Sequence, residues 1–123
     1  MVVAWRFCAV IVQGMQVSDV LKQAKERLRD PRSWWRGEYP QPRGCTCAAV
    51  AVVEVTYDRT ACMLAQSRLL DAANRLRLVP KYGYMSVPSF NDAKSTTHPM
   101  LMAVFDAAIA QAEAVERAHA ATQ

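Results

Sequence analysis

The sequence predicts an all-α fold, a compact bundle of about four helices with a short N-terminal strand or apolar arm. Alanine is heavily used, while only 4 of the 123 residues are glycine. Alanine has the highest helix propensity, whereas the turns of sheets consume glycine. Apolar residues also recur at helical spacing in several segments. With 52% apolar and 21% charged residues, the chain has the composition of one globular domain that can bury its own core.

Residues 1–14 are the apolar arm of this prediction. The segment is mostly apolar, with Arg6 in its middle, and it is too short to cross a membrane, which takes about 20 apolar residues. Arg6 lies too deep for a signal peptide, and a small-residue cleavage site is lacking. The remaining alternatives are a strand, an arm that docks on the core or joins two copies, and an upstream extension to a natural start at Met15.

A single helical domain is predicted over residues 15–118, and its first helix is expected to run from an N-cap at Ser18 to Arg29. The residue before Pro31 is pushed out of the α region, which ends the helix. The apolar positions of this helix share one face: Val17, Val20, Leu21, Ala24 and Leu28.

Two further helices are expected in the middle of the chain. Residues 45–55 are an apolar run that allows a buried helix or a buried strand, and the alanines favour the helix. Asp58 or Thr60 can cap a long helix from about Ala61 to Leu78. Its expected apolar side consists of Met63, Leu64, Leu69, Leu70, Ala73 and Leu76. Residues 81–89 are predicted to be a linker.

The last helix is predicted to start near His98 or Pro99, to run to about Ala118 and to be followed by a frayed tail at 119–123. Its apolar stripe consists of Leu101, Val104, Phe105, Ala108, Ile109 and Ala112.

The loop before the last helix, residues 90–99, is the part of the chain richest in groups that can do chemistry. Asn91 and Asp92 favour a turn, and Thr96, Thr97 or His98 can cap the following helix. A His98–Asp92 hydrogen bond would complete a purely structural account of the loop.

Several motifs occur in a fixed order. Phe90-Asn91-Asp92 precedes Thr96-Thr97-His98, and a helix reading Leu-Met-Ala-Val-Phe-Asp-Ala-Ala-Ile follows from Leu101. With a Trp segment at 34–39 and Cys47-Ala48-Ala49, they resemble a family of small helical proteins from actinobacteria and their phages. The resemblance covers about residues 17–117. It implies a helical fold and an actinobacterial or phage origin, and it implies no reaction. Met100 stands where the family often has an acid, which is expected to remove a capping box.

Cysteine chemistry provides the enzyme alternative. Cys47, near a helix start, is a candidate nucleophile, with His98 as its base and Asp92 or Asn91 orienting the imidazole. No glycine-rich loop marks an oxyanion hole, however, and free cysteines are commonly core residues. A zinc site from Cys45, Cys47, Cys62 and His98 would need a poor C-x-C half-site. Neither a metal nor a cofactor is predicted.

A loop rich in arginine and tryptophan, residues 32–43, is the predicted binding site. The segment from Lys22 to Arg43 has seven basic and three acidic residues, an excess equal to the net charge of +4. One of the two adjacent tryptophans is expected to cover the core and the other to lie at the surface. Exposed Trp beside Arg is typical of protein interfaces and can also stack nucleic-acid bases. The candidate binding residues are Arg32, Trp34, Trp35, Arg36, Tyr39 and Arg43.

These observations predict a small non-enzymatic protein that binds another protein, as a phage or prophage product acting on a host component. A cytoplasmic location is expected, since four cysteines without a secretion signal indicate reduced thiols. No membrane partner is expected. The alternatives are a nucleic-acid-binding accessory protein that uses residues 32–43 and a cysteine-dependent enzyme that uses Cys47 and His98.

Overall fold

Five α-helices and one 3-10 turn make up the part of the chain that the computed structural model describes, which is residues 15–37, 41, 43–76 and 83–122. The helices are α1 (Val17–Leu28), α2 (Ala48–Val55), α3 (Arg59–Leu76), α4 (Val87–Asp92) and α5 (His98–Ala121), and the 3-10 turn is Pro31–Ser33. None of these ranges contains a strand, so the predicted all-α bundle is confirmed. The arm at residues 1–14 lies outside the described residues.

The core lies where α1, α3 and α5 pack against one another, with α2 packed on α1. The predicted apolar faces of α1 and α5 are confirmed, and their largest side chains are fully buried. The fully buried leucine and phenylalanine side chains are Leu21, Leu28, Leu69, Leu101 and Phe105.

Helix α3 confirms the predicted apolar side at Leu69 and Ala73, but not at three other positions. Met63, Leu64 and Leu76 are exposed, while the buried positions are mostly small: Ala61, Ala65, Leu69, Ala72 and Ala73. Small side chains at a helix contact allow the axes to approach closely, which is how α3 fits against α1 and α5. The prediction favoured large apolar residues and was wrong at these three positions.

Ser18 was predicted to be the N-cap of α1, but the helix starts one residue earlier, at Val17. Instead, the Ser18 backbone N–H donates to Glu116 Oε2 (3.0 Å) and its hydroxyl donates to Glu116 Oε1 (2.6 Å). A carboxylate from α5 therefore does the work that an N-cap side chain usually does.

Helices α2 and α3 confirm the predicted helical interpretation of residues 45–55 and the cap at Asp58. Cys47 is the N-cap of α2, and its Sγ accepts from Val50 N at 3.5 Å. Asp58 Oδ1 accepts from the backbone N–H groups of Thr60 and Ala61 at the start of α3.

Part of the predicted linker at 81–89 is helical, since α4 begins at Val87 and Ser86 caps it. Before α4, Asn74 holds the backbone of Tyr84: its Oδ1 accepts from Tyr84 N (2.5 Å) and its Nδ2 donates to Tyr84 O (3.1 Å). The Tyr84 ring packs edge-on against Phe90, with centroids 5.1 Å apart. These contacts hold Tyr84 in place, although the turn-forming residues around it predicted only a linker.

Helix α5 starts at His98, as predicted, with Thr97 as its N-cap. The capping box was expected to be lost because Met100 stands where the family often has an acid. Instead, the Met100 Sδ accepts from Thr97 N at 3.5 Å, so the thioether takes the place of the carboxylate. The helix runs to Ala121, three residues beyond the predicted end at Ala118. Neither α5 nor any other described helix combines the length and the apolar character that crossing a membrane requires.

Candidate functional site

The predicted binding loop, which we call the Trp loop after Trp34 and Trp35, lies alongside the residues that lead into α2. Trp35 N donates to Thr46 O, and Thr46 N donates to Ser33 O, both at 2.9 Å. These two bonds form an isolated parallel bridge between Trp34 and Thr46. They bring the predicted binding loop next to the start of α2.

Asn91, at the end of α4, joins this loop to α2. Its Oδ1 accepts from Trp34 Nε1 (2.7 Å) and from Ala48 N (2.9 Å). Its Nδ2 donates to Trp35 O (2.9 Å) and to Asp92 Oδ1 (2.8 Å). The side chain is fully buried and makes all four hydrogen bonds that an amide can make. Asn91 therefore has a structural role and no capacity left for orienting a catalytic base.

Asp92 and Thr96, on either side of the turn between α4 and α5, each contact a backbone segment. The Asp92 carboxylate is so close to Gly37 that a Cβ there would lie 2.9 Å from Oδ2. The buried Thr96 hydroxyl donates to Phe90 O at 2.7 Å. The structural account of residues 90–99 is therefore correct in kind, although Asn91 bonds to distant segments rather than forming a local turn.

His98 bonds to α1 rather than to Asp92, which corrects the predicted pair. Its Nε2 lies 2.7 Å from Leu28 O, and since a carbonyl only accepts, Nε2 carries the proton. The imidazole also lies against the Trp34 ring, with centroids 5.9 Å apart. His98 thus links the start of α5 to the end of α1.

Arg36 completes what we call the Asn91 network, consisting of Trp34, Arg36, Asn91, Asp92 and His98. Arg36 donates to Ala93 O at 2.7 Å, and its guanidinium carbon lies 5.3 Å from the centroid of the Trp34 ring. Cation–π contact and hydrogen bonding both hold the loop in place. Residues 34–36 are therefore tied to 91–98 at several points.

The thiols of the described cysteines are free and half-buried, and each is engaged in a local bond. Cys45 donates to Arg32 O at 2.8 Å, Cys47 caps α2, and Cys62 accepts from Gln66 Nε2 at 3.5 Å. The candidate nucleophile and its candidate base thus have separate structural partners. Within the described ranges, no group of three or more His, Cys, Asp or Glu side chains is placed to hold a metal ion.

The basic residues of α1 are neutralised by ion pairs. Arg29, one residue beyond the end of α1, pairs with Glu26 in its last turn, whereas the other three pair with acids from α2 and α5. The four pairs are Lys22–Glu113, Lys25–Asp106, Arg27–Glu54 and Arg29–Glu26. Hydrogen bonding to Lys22 lowers the pKa of Glu113 below its ordinary value. The local excess of positive charge is therefore much smaller in the fold than in the sequence.

The predicted binding residues occupy different environments. The Arg32 side chain is exposed and paired with Asp30, whose pKa it lowers by hydrogen bonding. Trp34 and Arg36 belong to the Asn91 network, and Trp35 is half-buried. Arg43 is exposed, and Tyr39 lies outside the described residues. Their role in binding remains a prediction.

The outer face of α2, which we define as Val50, Val53 and Tyr57, is the apolar surface that sequence reasoning missed. Val50 and Val53 lie three residues apart on the helix, and the Val53 side chain is 53% exposed. Tyr57, just after the helix, is fully exposed. The buried positions of α2 are Ala48, Ala51 and Val52. The spacing of Val50 and Val53 already placed them on one side of a helix. Residues 45–55 are almost entirely apolar, however, and such a segment predicts a helix that is buried all round.

The comparison with protein families gives a match over most of the chain. The model for a family of unknown function (DUF6197) matches residues 12–111. The chain belongs to DUF6197. No curated protein and no solved structure matches it. The predicted resemblance to a family without an assigned activity is confirmed, and the DUF6197 match includes every residue of the Asn91 network.

Proposed function

We propose that this DUF6197 member is a non-enzymatic protein that binds another protein through the outer face of α2. The observation that carries the proposal is the exposure of Val50 and Val53, which lie three residues apart on α2, together with that of Tyr57 two residues beyond the end of the helix. Exposed aromatic and aliphatic side chains that lie together are typical of interaction sites, whereas single ones are common on any surface.

The groups beside this face indicate the kind of partner it fits. Arg32 lies next to Cys45, two residues before the N-cap of α2, and Arg43 is exposed in the same connection. Because the Arg32 guanidinium is paired with Asp30, the exposed Arg43 is the cation that favours acidic groups on the partner. One face of an eight-residue helix has less area than one side of a standard interface, about 800 Å², so we include the exposed residues Arg32 and Arg43.

The side chains that catalysis would need are already hydrogen-bonded within the fold, which supports binding over catalysis. Cys47, His98 and Asn91, which the enzyme alternative requires, bond to Val50, Leu28 and the Trp loop respectively. The three described thiols are free, in keeping with a reducing cytoplasm as the proposed location. The sequence resemblance supports a phage or prophage product with a host component as its partner.

The test is affinity capture followed by a measured dissociation constant. The full chain and its Val53→Asp and Tyr57→Ala variants are used to capture proteins from host lysate, and the captured protein is then purified and titrated. We expect each variant to weaken binding about tenfold or more, as for the centre of an interface.

Met85→Asp is the matched control, because Met85 is also an exposed apolar residue (89%). It adjoins Tyr84, which Asn74 holds near the end of α3, whereas Tyr57 precedes the start of that helix. The 18 residues of α3 span about 27 Å at 1.5 Å per residue, and this length separates Met85 from Tyr57. A partner that binds all variants equally, or a turnover abolished by Cys47→Ser, would overturn the proposal.

A further inference from the structure

An apolar groove opens where the start of α1, the start of α3 and the end of α5 meet. Its volume is about 440 Å³, within the range of sites that enclose a small molecule or a few side chains. Leu64 from α3 and Val115 from α5 line it and are 44% and 46% exposed. Met15 and Val17 complete the apolar wall. Large apolar side chains that stay open to solvent in a groove indicate an occupant.

The groove adjoins the point at which the described chain begins. Met15, the first described residue, is one of its lining residues. An uninterrupted apolar run, Phe7-Cys8-Ala9-Val10-Ile11-Val12, ends three residues before Met15. Gln13 and Gly14 separate this run from Met15 in the sequence. We propose that residues 7–12 of this chain occupy the groove.

Tethering favours this occupant over a partner from solution. A segment joined to its site by a short stretch of the same chain has an effective concentration in the millimolar range. A free partner would have to exceed that concentration or bind correspondingly more tightly. Six residues in extended form reach about 20 Å, enough for their side chains to cover Leu64 and Val115.

Charge complementarity supports the same occupant. The groove is also lined by the acids Asp58 and Glu116, and Arg6 directly precedes the apolar run. A segment with apolar side chains and one adjoining cation matches both the wall and the acidic groups. The inference is independent of the proposed function, because the groove and the outer face of α2 share no residue.

Alkylation of Cys8 tests the proposal on the full chain, since this thiol lies within the run. Rates of reaction with iodoacetamide are measured for each cysteine by mass spectrometry. We expect Cys8 to react at least tenfold more slowly than a cysteine in an unstructured peptide, and Leu64→Asp to restore the fast rate. Met63→Asp is the matched control, because Met63 neighbours Leu64, is exposed and does not line the groove. Unchanged rates for Cys45, Cys47 and Cys62 verify that each variant is folded.

Two outcomes would overturn the proposal. A Cys8 rate equal to that of the free peptide, insensitive to Leu64→Asp, would leave the groove open to another molecule. Protection that disappears on dilution would assign the groove to the arm of a second copy. Protection that is independent of concentration and lost in Leu64→Asp alone supports docking within one chain.

Discussion

The side-chain amide of Asn91 makes four hydrogen bonds, which is all that an amide can make, so it has no free donor or acceptor for another role. It gives Trp34 Nε1 and Ala48 N a buried acceptor. A buried donor that loses its acceptor costs far more than an average hydrogen bond contributes. The Asn-Asp motif thus serves the folding of three separate segments rather than a reaction.

Replacement of Asn91 is expected to destabilise the fold strongly. Asn91→Ala leaves the Trp34 and Ala48 donors without partners, at a cost of about 2–4 kcal/mol in the free energy of unfolding. Urea unfolding followed by circular dichroism measures it. Lys94→Ala is the control, because Lys94 is exposed and does not belong to the Asn91 network, so its loss is expected to cost less than about 0.5 kcal/mol. Equal losses would contradict the role assigned to the amide.

Gly83 is expected to tolerate a side chain less well than Gly44. Both have positive φ, +79° and +83°, so alanine is strained at either position by about 1–2 kcal/mol. At Gly83 the added Cβ would also lie 2.8 Å from Asn74 Oδ1, whereas nothing lies within 4 Å at Gly44. Asn74 cannot withdraw without losing its bonds to Tyr84. Calorimetry should therefore give a larger drop in Tm for Gly83→Ala than for Gly44→Ala, and equal drops would exclude the close contact.

At the level of elements, α5 stabilises the start of α1 through Glu116. Its carboxylate accepts from both the backbone and the hydroxyl of Ser18. The free N–H groups at a helix start need acceptors, and here the acceptor comes from 98 residues away. The two helices therefore depend on each other beyond their apolar contact.

Glu116→Ala is expected to lower the free energy of unfolding by about 0.5–2 kcal/mol, the usual effect of removing an N-cap side chain. Chemical denaturation measures the loss, and Arg117→Ala at the next, exposed position is the control. In a double-mutant cycle with Ser18→Ala, the two losses should not add, because Ser18→Ala removes one of the two hydrogen bonds that Glu116→Ala removes. Additive losses would show that the two residues act separately.

The boundaries of the elements could be predicted where the signal is local. The apolar spacing and the Asp30-Pro31 stop define α1 to within one residue at its end, and Pro99 marks the start of α5. Helix α4 was missed because Pro88 and Asn91-Asp92 are turn-forming in isolation, whereas Ser86 caps a helix there. Met63, Leu64 and Leu76 of α3 were misassigned because the side of a helix that packs against other helices is not a local property of the sequence.

The contacts of the candidate site could not be predicted for a related reason. The sequence identifies Trp34, Asn91 and His98 as unusual residues, but their partners are distant in the chain. Asn91 bonds to Trp34 across 57 positions and His98 to Leu28 across 70. Composition can identify polar groups, yet only the fold determines which of them are already paired.

At the scale of the whole molecule, the ion pairs change the interpretation of the net charge. Three of the four pairs on α1 use acids from α2 and α5, so cations that are adjacent in sequence face acids from distant parts of the chain. Binding of nucleic acid depends on cations that are free to neutralise phosphates. The fold therefore reduces the support for the nucleic-acid alternative.

Retention on heparin measures this directly. We expect the protein to elute below about 0.15 M salt, where surface charges are already screened beyond about 8 Å. Arg36→Ala should not change the elution, since Arg36 is bonded to Ala93 O and lies over Trp34. Elution at higher salt that drops in this variant would favour the nucleic-acid alternative instead.

The Asn91 network also has a consequence for the folding kinetics. Its bonds close loops of 57 and 43 residues, and the entropy of closing long loops opposes their early formation. Contacts that form after the transition state affect the rate of unfolding and leave the rate of folding nearly unchanged. The Phe-Asn-Asp motif should thus control how long the native state lasts once formed, with little influence on how quickly the helices assemble.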